Sequence, residues 1–398
     1  MANLLIAHGG APTTVINASL YGAVMAAKQS GKVEHIYGAI HGSAGILNEE
    51  FIDLAAQPQA ELDKLLHTPA SAIGTSRTPL YEKEYARMAE VLQKHDIGYV
   101  LFTGGNGSMD TCGRLYKACE GKVLVAGIPK TIDNDIAVID HAPGFGSAAR
   151  FIAMSVAEIA QDVQAMPIHV CIIETMGRNA GWLTAAAALA RTEEGGAPDL
   201  IYLPEVAFDE EAFLRDVTAL YQKKGGVVVV VSEGLKNADG SSIAPPLFKT
   251  ERATYAGPVA SYLAKLVIEK TGIKARSETP GIWGRSSAQN QSPVDCEEAV
   301  RMGAMAANAV LSGTSGVMAG MMRKEGAAYA VEDVLVPIEK VMMDERLLPA
   351  EYIAPSGNDV TQAFIEWCRP LVGELPIDFA NFRTPDEATK GTGEYKTI

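Results

Sequence analysis

The sequence predicts an α/β protein built on a doubly wound, mainly parallel sheet. Short apolar runs bounded by glycine recur at residues 4–7, 99–102, 123–126, 170–173 and 227–231, as strands buried on both faces do. Between them, residues 15–29, 82–94, 109–119 and 147–165 carry apolar side chains three or four apart, the helical period. Strand, helix, strand alternation is the third observation, and it argues for crossover units on one sheet. With 398 residues, and roughly 150 per domain, two or three domains are expected.

Composition narrows the class. The chain is 47% hydrophobic and 21% charged with 38 glycines, which excludes disorder and suits a close-packed enzyme with ligand loops. Thirty-four basic against 48 acidic residues leave a net charge of −14, so the protein as a whole repels nucleic acid and anionic membranes. Neither is an expected partner, and a phosphate site has to be locally basic. Cys112, Cys119, Cys171, Cys296 and Cys368 show no paired spacing and read as reduced thiols. No apolar run approaches 18 residues, and the first ten residues have no signal-peptide pattern, so a cytoplasmic protein is expected. The seven histidines lie in the first 169 residues without a zinc-ligand spacing. Residues 384–398 are polar and are expected to form a mobile tail or a docked strap.

The chemistry concentrates at the strand-to-helix turns, where open α/β sheets bind ligands. The first strand ends in His8-Gly9-Gly10-Ala11-Pro12-Thr13-Thr14-Val15-Ile16-Asn17, a small-residue turn whose backbone can approach a phosphate. The alternative is a tight turn with Asn17 as helix residue or cap. The second strand to carry such a turn leads into Thr103-Gly104-Gly105-Asn106-Gly107-Ser108. Three glycines in four residues exceed what chain reversal needs, and a nest of N–H groups around a polyphosphate is favoured. No GK[ST] occurs, so this is not a Walker A loop. The third turn, Ile128-Pro129-Lys130-Thr131-Ile132-Asp133-Asn134-Asp135, offers a cation, a hydroxyl and two carboxylates. Phosphoryl transfer demands that set, although an Asx-turn with a helix cap would also use it. Three polar turns at strand ends favour one shared site.

These residues resemble the phosphofructokinase family. The resemblance rests on PKTIDND (129–135), GGNGS (104–108), ETMGRNAGW (174–182), SEG (232–234) and Arg276 and Arg285 within KAR…PG…GR. DHAPGFGSAAR (140–150) and VINASLYG (15–22) are most similar to the branch that includes pyrophosphate-dependent members. The resemblance implies two Rossmann-like doubly wound domains with mainly parallel sheets and the active site in the interdomain cleft. Residues 1–145 plus about 285–335 would bind the phosphoryl donor, and 146–284 plus about 336–398 the sugar phosphate.

By the same resemblance Asp133 is the general base on the sugar 1-hydroxyl, with Thr131 beside it, and Lys130 and Arg178 complete the catalytic set. Gly10, Arg77, Gly104, Gly105, Asn106, Gly107 and Ser108 match donor-binding positions. Thr131, Asp133, Met176, Gly177, Arg178, Glu233, Arg276 and Arg285 match positions that hold the phosphosugar. Asn106 and Asp135 would support Mg2+. The implied partners are ATP or pyrophosphate and fructose 6-phosphate or a related phosphosugar, in a homodimer or homotetramer.

Departures from the family pattern set the expected chemistry. Asn106 replaces an acidic metal ligand, and Ala11 replaces a glycine beside the transferred phosphate. Gly107 stands where pyrophosphate users have aspartate, leaving room for a nucleotide α-phosphate, while Lys130 is a residue of pyrophosphate users. The pair favours ATP, with a pyrophosphate-dependent enzyme as the alternative. His169 and Ile282 replace polar acceptor-binding residues, which keeps a kinase for another phosphosugar or polyol in view. A non-catalytic binding or regulatory homologue is the remaining alternative.

Overall fold

The computed structural model describes residues 2–192, 196–249, 254–326, 328–342 and 344–380. The polar stretch 384–398 lies outside these residues.

The first half lays down β1 (Asn3–His8), β2 (Ile36–Ala39), β3 (Phe51–Asp53), β4 (Ile97–Gly104) and β5 (Leu124–Pro129). Then follow β6 (Val170–Thr175), β7 (Leu200–Tyr202), β8 (Val227–Ser232), β9 (Pro246–Lys249), β10 (Thr254–Ala256) and β11 (Ala275–Glu278). The last two strands, β12 (Val317–Arg323) and β13 (Val331–Pro337), return to the first sheet. That seven-stranded sheet has the order β13-β12-β5-β4-β1-β2-β3, parallel except at β2–β3 and β12–β13. A four-stranded sheet, β11-β6-β8-β7, is parallel throughout. The α/β class and the parallel sheets are as expected.

Burial explains the pattern. Every residue of β1, β6 and β8 is buried, which is why these strands read as unbroken apolar runs. Helix Ile16–Ser30 packs against helix Pro293–Leu311 across one face of the large sheet, near Leu4, Ile6, Leu20 and Met302. The two helices cross so closely that a Cβ on Gly22 would stand 1.9 Å from the Val300 carbonyl oxygen, and one on Gly303 1.9 Å from that of Ser19. Glycine is required at both positions.

Helix Phe145–Ala165 backs the second sheet together with the C-terminal helix Gln362–Val372. Trp182, Phe364 and Trp367 fill the space between them. Asp295 caps the long helix, accepting from Gly144 N at 2.8 Å and Ser147 N at 2.9 Å. All five cysteines are unpaired. Among the described residues no helix is long and apolar enough to cross a membrane.

Candidate active site

Parallel register brings the three polar turns together. His8 of β1 lies opposite Thr103 of β4, which lies opposite Ile128 of β5, so the strands end level. The turns open on a cleft of about 500 Å³. Its lining takes Gly10, Gly105, Asn106, Gly107 and Ser108 from the first two turns and Lys130, Thr131, Asp133 and Asp135 from the third. Arg77 joins them from the loop before helix Glu82–Lys94. Gly104 lies beneath the cradle, where a Cβ would stand 2.1 Å from Ser108 Oγ. A Cβ at Gly107, by contrast, would meet open space.

The glycine loop is shorter than the sequence implied. Helix Asn106–Ala118 already contains Asn106, Gly107 and Ser108 in its first turn, with Gly105 as cap. The Asn106 and Gly107 N–H groups precede the helical ladder and are available to an anion, while Ser108 N donates to the Gly105 carbonyl at 2.8 Å. Asn17 lies inside helix Ile16–Ser30 and supports the Arg77 loop. Its amide donates to the Thr68 carbonyl at 2.8 Å and accepts from Ala72 N at 2.8 Å. Gly10, at φ +73, takes a bond from Thr75 Oγ1 to its carbonyl at 2.7 Å, which seats that loop against the first turn.

Charge is arranged unusually in this cleft. Lys130 is buried, donates to the Ala11 carbonyl, and has its pKa pulled down to about 8 by burial against the opposing pull of Asp133 and Asp135. Burial, then the charges of Asp135 and Glu233, push Asp133 up to about 7. Asp133 N bonds to Thr131 Oγ1 at 3.1 Å, and Asn134 Oδ1 accepts from Ala142 N at 3.0 Å, so both neighbours hold the carboxylate's backbone. Asp135 is also raised, chiefly by burial. Asn106 Nδ2 donates to Asp135 Oδ2 at 3.0 Å, leaving Asn106 Oδ1 and Asp135 Oδ1 buried and without a donor. Two orphaned acceptors on one corner fit a cation. Among the described residues no cluster of three His, Cys, Asp or Glu side chains is built to hold a metal, so the corner would leave most of the shell to donor oxygens and water.

The expected acceptor residues form a second group. Met176, Gly177 and Arg178 leave β6 in a turn that sits on the turn after β8. Ser232 Oγ donates to the Gly177 carbonyl at 2.7 Å, Glu233 N donates to the Thr175 carbonyl at 3.0 Å, and a Cβ on Gly234 would stand 1.7 Å from the Arg178 carbonyl oxygen. Glu233 therefore caps no helix; it sits beside the Met176–Arg178 turn, with its charge on Asp133. Arg285, from the turn Gly281–Arg285, has a buried Nε without a partner and a charge felt by Lys130. Arg276 stands apart: it pairs in register with Cys171 near the start of β6, exposed and beside His169, well short of Met176 along the strand. Burial and the Arg276 charge lower the His169 pKa.

Two features escaped the sequence reading. Glu345 lines the cleft from a segment of irregular structure. His141, in the DHAPGFG motif, is held at 2.8 Å by both Asp140 and Glu298 and raised to about 9, against the cost of burial, by those bonds. Glu298 also accepts from Tyr329, which pins the loop behind Asp133 to helix Pro293–Leu311.

A glycine-built anion cradle, a buried lysine and a poised carboxylate at level strand ends define an α/β phosphotransferase. The phosphofructokinase family model matches residues 3–310, and the chain belongs to that family. It is 38% identical over 384 residues to a pyrophosphate–fructose 6-phosphate 1-phosphotransferase of Rhodospirillum rubrum, covering 93% of this chain and 94% of that one. It is 34% identical to a sulfofructose kinase of Alkalicoccus urumqiensis, covering 94% and 96%. Its structure resembles that of a pyrophosphate-dependent phosphofructokinase from Nitrosospira multiformis with a TM-score of 0.86, 34% identity, and coverage of 97% and 95%.

Proposed function

We propose that the chain moves the terminal phosphoryl group of pyrophosphate to the 1-hydroxyl of fructose 6-phosphate. The observation that carries the reading is the meeting of Asp133, Lys130 and Arg77 on one glycine-lined cleft. The names of the relatives favour pyrophosphate as donor. ATP, which the sequence put first, remains the second reading because of the open space at Gly107.

In this reading the cradle from Gly10 and Gly104 to Ser108 holds the donor, and Lys130 and Arg77 neutralise charge developing on the transferred group. Asp133 accepts the proton of the attacking hydroxyl. Thr131 keeps Asp133 in place through its hydroxyl. Met176, Gly177, Arg178 and Glu233 hold the sugar, and Arg285 grips its anionic end. Asn106 Oδ1 and Asp135 Oδ1 would hold Mg2+, which when bound screens the donor oxygens.

The chain acts as a cytoplasmic homodimer or homotetramer. Its five unpaired thiols support the compartment. Exposed Ile282 (62%) and Trp283 (74%) support the assembly, as does the distance of Arg276 from the acceptor turns of its own chain. Residues 1–145 with about 285–335 form the donor unit, and 146–284 with about 336–398 the acceptor unit. A sulfonated sugar is the second acceptor reading. His169, whose charged form burial and Arg276 disfavour, and apolar Ile282 leave less positive charge for a phosphate dianion, and one relative is named for such a substrate. Retention of Asp133, Thr131, Lys130 and Arg178 weighs against a non-catalytic homologue.

The test is steady-state kinetics crossing pyrophosphate and ATP with fructose 6-phosphate and sulfofructose. The highest kcat/KM is expected for pyrophosphate with fructose 6-phosphate. Turnover with no pair overturns the reading.

A further inference from the structure

Glu345 reaches the donor cleft from beyond the span of the family match, residues 3–310. Its place is fixed by pairing with the third polar turn. Glu345 bridges Ile136 in antiparallel fashion, and the next residue, Arg346, donates its N–H to the Asp135 carbonyl at 2.8 Å. Arg346 is itself anchored, its guanidinium 4.2 Å from the centre of the Trp182 ring and bonded to the Ile139 and Asp140 carbonyls. The Glu345 side chain is tied too, since Asn179 Nδ2 donates to Oε2 at 3.0 Å. A neutral amide holds the carboxylate without cancelling its charge.

Counted over the charged side chains that line it, the cleft presents Asp133, Asp135 and Glu345 against Lys130 and Arg77. With its carboxylates ionised it is net acidic before any ligand arrives, although its proposed ligand is a polyanion. Without Glu345 the lining would balance. A metal-free polyphosphate meets like charge in a partly desolvated cleft, where repulsion is stronger than in water. The same donor carrying a divalent cation arrives with most of its charge cancelled. A carboxylate that weakens the wrong form of a ligand more than the right one is a selectivity device.

We infer that Glu345 is a charge filter on the donor cleft, which admits the polyphosphate as its divalent-metal complex and turns away the free anion. The inference rests on the cleft being the donor site. It makes Glu345 a specificity residue supplied by the C-terminal segment and set next to Asp135 by its bridge to Ile136.

Calorimetric titration of pyrophosphate into the full chain, with no acceptor present, reads this directly. One arm contains chelator and the other excess Mg2+, and both are run on wild type, Glu345→Gln and Asn179→Ala. Glu345→Gln is expected to bind metal-free pyrophosphate about tenfold tighter, as the loss of one like-charge contact implies, with the magnesium complex changed by less than about threefold. Asn179→Ala, which leaves the carboxylate in place, is expected to keep the wild-type ratio. An unchanged ratio in Glu345→Gln, or a parallel fall in both affinities, overturns the filter. So does a ratio shift in Asn179→Ala equal to that in Glu345→Gln. Wild type that binds neither form overturns the donor reading itself, a result distinct from failure of the filter alone.

Discussion

Asn106 and Asp135 are joined by one hydrogen bond of 3.0 Å, and each is left with a buried oxygen that no donor meets. An amide and a carboxylate so placed form a weaker cation corner than two carboxylates would. Asn106→Asp is therefore expected to lower the Mg2+ concentration for half-maximal activity by about tenfold, a gain of roughly 1.4 kcal/mol. Titration of activity with Mg2+ at fixed donor checks it, and an unchanged midpoint removes position 106 from the metal corner.

Asp133→Asn keeps the volume but cannot take a proton. A loss of about 10² to 10⁴ in kcat is expected, with acceptor affinity within threefold. The folded-state pKa of Asp133 is raised, so between its ordinary value of 3.8 and about 7 the folded chain binds more protons than the unfolded one, and stability falls as pH rises through that window. The substitution removes this penalty. Its Tm at pH 7.5 should exceed that of wild type, which a paired thermal scan reads.

The pH profile follows from the same two groups. Asp133 has to be ionised and Lys130 protonated, with values of about 7 and about 8. kcat/KM for the free enzyme should rise through pH 7 and fall above pH 8, a narrow bell. Glu233→Gln removes a like charge facing Asp133 and should move the acid limb to lower pH. A flat profile from pH 6 to 9 contradicts these assignments.

Arg285 has a buried Nε with no partner, as a group waiting for an anion would. Arg285→Ala should raise the acceptor KM by about 10- to 100-fold, since a charge-assisted bond is worth about 1.5 to 3 kcal/mol. Donor KM should change little. An unchanged acceptor KM takes Arg285 out of the site.

Gly107 decides the donor if the space beside it holds an α-phosphate. Gly107→Asp should cut kcat/KM with ATP at least tenfold more than with pyrophosphate, because only the nucleotide brings a phosphate against the new carboxylate. Equal losses with both donors would show that position 107 does not discriminate.

The parts of the site legible in the sequence are those built from single turns. Buried parallel strands read as apolar runs, so β1, β4, β5, β6 and β8 are visible to within three residues at each end, and their turns with them. Short or edge strands such as β3 and β13, with mixed burial, carried no such signal. Helix Asn106–Ala118 starts three residues earlier than its apolar period implied, because Gly107 and two polar residues fill its first turn. Glu345 was invisible because its position depends on pairing with Ile136, some 200 residues away, and no local pattern encodes such a contact. Arg276 carried a motif but stands away from the acceptor turns, since register along β6 and not motif order sets its height.

The proposed function stands on proton-accepting phosphoryl transfer at Asp133. Phosphorus NMR of wild type and Asp133→Asn, each mixed with Mg2+, pyrophosphate and fructose 6-phosphate, tests it most directly. With wild type, loss of the pyrophosphate signal and matched growth of orthophosphate and a sugar 1-phosphate are expected, with growth at least 100-fold slower in the variant. Equal rates in the two proteins, or orthophosphate without sugar phosphate in wild type, would contradict it.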